Sequence, residues 1–137
     1  KAGYPGLTIW QDETKAGAAR RKYSETRLGR RRYLPNIDSQ DWGKKSFAER
    51  CSMNTPIQGT AADIMKMAMI RVSDDIKANA YDAKILLQVH DELIVEVRED
   101  QANDVADLLV SDMQNICQLN VPLKVNVNTG INWYEAK

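Results

Sequence analysis

This chain of 137 residues has only two cysteines, one histidine, one phenylalanine and no net charge. Cys51 and Cys117 stand alone, without a CxxC spacing, so a disulfide scaffold is excluded. Both are expected as buried, reduced thiols of a cytosolic protein, with a disulfide or a reactive cysteine as the alternative. No apolar run approaches the ~18–20 residues that span a bilayer, so no membrane segment is expected. The start, Lys-Ala-Gly-Tyr-Pro, lacks the apolar core of a signal peptide and also an initiator Met. The chain is therefore expected to be processed or cut from something longer. At 43% hydrophobic and 28% charged residues, disorder and collagen-like structure are excluded. Zero net charge, taken alone, argues against a nucleic-acid partner.

The average hides a division. Residues 1–50 hold 12 Lys/Arg and 6 Asp/Glu, a net +6; residues 51–137 hold 7 and 13, a net −6. A polyanion on the basic part is the expectation. Residues 5–22 predict a helix, with Leu7, Trp10, Thr14, Ala18 and Arg21 on one face. Short extended pieces at 23–27 and 33–37 flank Leu28-Gly29-Arg30, where Gly29 can supply a positive φ. An acid within Asp38-Ser39-Gln40-Asp41 is expected to cap a helix over 43–54, which Pro56 should break or kink.

A second helix is expected over 57–79, with Ile57, Ala61, Ile64, Met65, Ala68, Val72 and Ile76 on its apolar face. Then the period changes. Runs 85–89 and 93–97 predict a β-hairpin with His90-Asp91-Glu92 at its tip. A helix over 101–118 follows, with Asp104, Asp107 and Asp112 on its wet faces. A half-buried strand is expected over 123–128, and a tail over 129–137 packed by Trp133 and Tyr134. The predicted fold class is α+β, an antiparallel sheet with helices on one face.

Three groups of residues can carry chemistry. His90, Asp91 and Glu92 sit where two strands would hold them rigidly, although a solvated turn has the same composition. Asp91 is a candidate ligand for a hard cation. Neighbours in extended backbone point to opposite faces, so Glu92 should not chelate the same ion. No second carboxylate at a facing strand end is evident, so either there is no metal or other chain completes the site. Arg30, Arg31 and Arg32 are candidate phosphate contacts, against the alternative of a solvated loop. Arg50, Asn54 and Gln58 recur every four residues and suit the acceptors of a minor groove, although polar stripes are usually only wet.

Four segments, in order, resemble family A DNA polymerases of the bacterial DNA polymerase I type. They are Leu28-Gly29-Arg30-Arg31-Arg32-Tyr33-Leu34-Pro35; Glu49-Arg50 with Asn54-x-Pro56-Ile57-Gln58-Gly59-Thr60-Ala61-Ala62-Asp63; Gln88-Val89-His90-Asp91-Glu92-Leu93; and Gly130-Ile131-Asn132-Trp133-Tyr134-Glu135-Ala136-Lys137. The resemblance covers essentially the whole chain. It implies part of a right-hand polymerase palm, performing template-directed nucleotidyl transfer with two Mg²⁺ ions in DNA replication or repair.

By the same resemblance, Asp91 is a catalytic metal carboxylate and Glu92 its less essential neighbour. His90 touches the primer end, Arg50 and Gln58 read the minor groove, and Asn54 lies on the template side. Arg30, Arg31 and Arg32 face the duplex. The implied partners are primer-template DNA, deoxynucleoside triphosphates and the remainder of the polymerase chain. The implied setting is cytoplasmic, in a bacterium or phage, or organellar.

Nothing in the sequence matches the family's motif A strand, fingers or thumb, so residues 1–137 are expected to be the C-terminal palm portion and inactive alone. Lys22 stands where a Gly often precedes the tyrosine, and Arg27 adds charge where a neutral residue is common. The alternative of another class is a non-catalytic DNA-binding or interaction module that reuses this fold.

Overall fold

The computed structural model describes residues 3–136. Lys1, counted among the basic residues, and Lys137, the end of the expected tail, lie outside the described residues. The chain forms two compact units that meet in sequence between Asp63 and Ile64.

In the first unit, α1 (Pro5–Arg21) begins with Pro at its first position, where a missing N–H costs nothing. It ends at Lys22, whose φ of +63° turns the chain and whose N–H bonds to Ala18 O. Gly17 and Ala18 are its buried residues. Leu7 and Arg21, placed on the apolar face by spacing, are exposed. The Arg21 guanidinium instead lies 5.6 Å from the Tyr23 ring centroid. Strands β1 (Tyr23–Glu25) and β2 (Arg31–Tyr33) pair antiparallel around Gly29, whose φ is +89°. The second extended piece is thus Arg31–Tyr33 rather than 33–37, and Asn36 to Ser39 form a turn.

Helix α2 (Trp42–Asn54) is capped by Asp41, whose carboxylate accepts from Lys44 N at 3.0 Å. Ala18, Leu34, Ile37, Ala48 and Cys51 form this unit's core.

Pro56 does not break the helix. A single π-helical turn, Thr55–Gly59, carries the chain from α2 directly into α3 (Thr60–Ala78). A wider turn gives the proline ring room, and hydroxyls serve the disturbed carbonyls. Thr55 Oγ1 donates to Cys51 O at 2.8 Å, and Thr60 Oγ1 donates to Pro56 O. The carbonyl four residues before a proline loses its usual donor. That carbonyl is Ser52 O, and the buried Ser24 hydroxyl of β1 donates to it at 2.8 Å.

In the second unit, Ala68, Val72 and Ile76 of α3 are buried; Ile57 and Ala61, which start the predicted apolar face within the first unit, are exposed. Strands β3 (Ala83–Val89) and β4 (Glu92–Val97) form an antiparallel hairpin with a bulge between Ile85 and Leu87. Lys84 pairs with Glu96 across it at 3.0 Å. A 3₁₀ turn, Glu99–Gln101, leads into α4 (Ala102–Gln114), which ends four residues before the predicted 118.

Asp112 of α4 is not wet: it is buried, and its Oδ1 lies 3.2 Å from Arg71 Nε of α3. Residues 123–128 alternate half-buried and exposed as a strand would, but they form no ladder. The alternation is a burial pattern; a strand also needs a neighbour to accept its backbone bonds. The α+β class holds, with two two-stranded ribbons among the described residues instead of one larger sheet. Cys51 is buried and Cys117 half-buried, and both are free.

Candidate nucleic-acid interface

The arginine strand and the π-turn face one another across an open cavity of about 310 Å³ in the first unit. Arg31 and Arg32 line one side, and Asn54 and Gln58 line the other. The amides are exposed, so their donors and acceptors are available to a ligand.

The three consecutive arginines are not equivalent. Arg30 donates from Nε to Asp63 Oδ1 at 2.6 Å and from Nη2 to Gly59 O at 3.1 Å, so its fork is largely spent inside the protein. Arg31 donates from Nε to Glu25 Oε2 at 3.0 Å and lies 4.6 Å from the Tyr23 ring centroid. The Glu25 hydrogen bond holds its guanidinium still more firmly charged than usual. Arg32 is exposed, and among the described residues it makes no hydrogen bond or ion pair of this kind. Among the described residues it is the least engaged guanidinium of the three.

Arg50 stands apart from Asn54 and Gln58. It is exposed one turn earlier on α2, where its Nη1 donates to Ser46 Oγ at 2.9 Å and its guanidinium stacks 6.0 Å from the Phe47 ring centroid. The four-residue spacing thus brings two of the three polar groups to the cavity.

Several residues that hold the cavity together carry no charge pattern that sequence reasoning could single out. Asp63 accepts from Arg30 and, through Oδ2, from Thr26 Oγ1 at 2.7 Å. Thr60 Oγ1 accepts from Arg27 N at 2.9 Å. Gly59 passes so close to the β1–β2 turn that an added Cβ would sit 2.7 Å from Thr26 Cγ2.

In the second unit, His90 and Asp91 form a two-residue tip between Val89 and Glu92. His90 has a φ of +53°, and Asp91 is not among the positive-φ residues. A tight hairpin whose first central residue has positive φ matches the right-handed twist of its strands. A non-glycine residue there is strained, and such strain concentrates at functional sites. Gln88 steadies the tip by donating to His90 O.

Asp91 and Glu92 are exposed. Among the described residues no three His, Cys, Asp or Glu side chains come together as a metal cage. The tip fits a hard cation only as part of a larger ligand set, to which Asp91 would offer one carboxylate at the turn.

The first unit thus carries an arginine- and amide-lined cavity, and the second an exposed acidic hairpin tip. The chain belongs to DNA polymerase family A, whose model matches residues 1–135. It is 45% identical to DNA polymerase I of Pseudomonas aeruginosa over 135 residues, covering 98% of this chain and 15% of that protein. It is 46% identical to DNA polymerase I of Deinococcus radiodurans over 136 residues, covering 99% and 14%.

Among solved structures, the POL domain of Pol1 from M. smegmatis, in complex with DNA primer-template and dNTP, matches with a TM-score of 0.92. That match has 44% sequence identity and covers 96% of this chain and 23% of that one. The chain therefore spans about 15% of the length of the curated relatives it matches. No helix among the described residues is long and apolar enough to cross a membrane.

Proposed function

We propose that this chain is the C-terminal palm portion of a DNA-directed DNA polymerase, which extends a primer on a template during replication or repair. The observation that carries the reading is the cavity, which brings the exposed Arg32 together with the exposed amides of Asn54 and Gln58. Arg fork geometry matches phosphate, and amides match the degenerate acceptors of a minor groove.

In this reading Arg31 and Arg32 hold duplex phosphates, and Arg30 supports them from within. Gln58 and Arg50 contact minor-groove acceptors near the primer end, Asn54 lies on the template side, and His90 touches the primer terminus. Asp91 is a metal carboxylate and Glu92 its accessory neighbour. Mg²⁺ held there supplies charge neutralisation at the reacting oxygens. The second carboxylate and the grip on the deoxynucleoside triphosphate come from the remainder of the polymerase, so this chain alone is inactive. The setting is cytoplasmic, for a bacterial or phage-encoded polymerase, with an organelle as the alternative.

Binding of primer-template to the complete polymerase, measured across a salt series, tests the cavity. Arg32→Ala should weaken binding and reduce the slope of log affinity against log salt by about one. Gln58→Ala should weaken binding with little change in slope. Unchanged binding in both variants would remove the cavity from the interface. Clear primer extension by the pure 137-residue chain in excess Mg²⁺ would contradict the incompleteness of its active site.

A further inference from the structure

The Arg30–Asp63 pair has a consequence beyond its own ion pair. Asp63 is buried, with its side chain 11% exposed, and each of its oxygens grips one end of the β1–β2 turn. Oδ2 accepts from the Thr26 hydroxyl, which itself accepts from Arg30 N at 3.1 Å. Oδ1 accepts from Arg30 Nε, while the other end of that guanidinium donates to Gly59 O. One carboxylate thereby ties the residue preceding β2 to the end of the π-turn. The next two residues of the strand are Arg31 and Arg32; the π-turn carries Gln58 and follows Asn54. Rotation of the β1–β2 turn would separate the two walls of the cavity.

We propose that Asp63 is a positioning residue for nucleic-acid binding. Through Thr26 and Arg30 it sets the distance between the phosphate-facing arginines and the groove-facing amides, without touching the ligand itself. This rests on the reading of the cavity as a duplex site.

The test uses the complete polymerase, with folding checked by circular dichroism at the assay temperature. Asp63→Asn should weaken primer-template binding about tenfold and lower the salt slope by about one. In that background Arg32→Ala should add little, because the arginine is already displaced. Thr26→Val should act in the same direction and Thr26→Ser should restore binding, which keeps the proposal testable if Asp63→Asn fails to fold. A folded Asp63→Asn protein with unchanged affinity and slope, while Arg32→Ala and Gln58→Ala weaken binding, overturns the positioning role and leaves the cavity reading intact. If Arg32→Ala and Gln58→Ala are also silent, the cavity reading itself fails and the proposal falls with it.

Discussion

Gly59→Ala is the substitution whose outcome the geometry decides most sharply. In most helices a glycine replaced by alanine gains about 1 kcal/mol. Here the new Cβ would lie 2.7 Å from Thr26 Cγ2 and 3.6 Å from Thr55 Cγ2. The second distance is ordinary contact; the first is not. Thr26 cannot rotate its methyl away cheaply, because its hydroxyl is committed to both Asp63 and Arg30 N and the residue is buried. Overpacking of this kind costs about 1–3 kcal/mol. The penalty cancels or outweighs the helical gain, and a net loss of up to about 2 kcal/mol is expected in place of a stabilisation.

A partner substitution isolates the cause. Thr26→Ser removes only the obstructing methyl, at a cost of about 1 kcal/mol when made alone. Combined with Gly59→Ala it should lose far less than the two single costs together. The measurement is a double-mutant cycle by urea denaturation, read from midpoints at constant m. Single costs that add to within about 0.5 kcal/mol would refute the close approach of the turn to Gly59.

Two further predictions concern the second unit. His90→Gly should relieve the left-handed strain at the hairpin tip and raise stability by up to about 1 kcal/mol, while removing the imidazole from the site. A fall in unfolding midpoint would contradict it. Asp112 is held above the usual carboxylate range, first by burial and then by the Asp75 carboxylate, with Arg71 opposing. Its folded value exceeds its unfolded one, so the stabilisation is complete below the ordinary Asp value of about 3.9 and is lost as pH rises through the raised value. Asp112→Asn imitates the neutral form at every pH. It should therefore be more stable than the parent at alkaline pH and converge with it in acid; a pH-independent difference in unfolding midpoint would overturn this.

The parts of the molecule legible in its sequence are those governed by local chemistry. The hairpin with a polar tip, the positive φ at Gly29 and the Asp41 cap all follow from residues within a few positions of each other. The helix through Pro56 did not follow, because the donors that accommodate it include Ser24, 28 residues from Ser52. Arg30 belongs to an arginine run by sequence and to Asp63 by structure, across 33 residues. Asp112 reads as one of several wet aspartates until Arg71 of another helix covers it. For residues 123–128 the alternation was present but the paired backbone was not. Sequence spacing thus singled out exposed residues that line the cavity, among them Arg32, Asn54 and Gln58, but not the buried polar frame behind them.

The most direct measurement is primer extension by the complete polymerase carrying Asp91→Asn, with primer-template affinity measured on the same preparation. The account predicts that extension is abolished in Mg²⁺ while affinity stays close to the parent, because the cavity residues are untouched. Extension surviving at a comparable rate would show that the hairpin tip is not a metal carboxylate and would contradict the central claim.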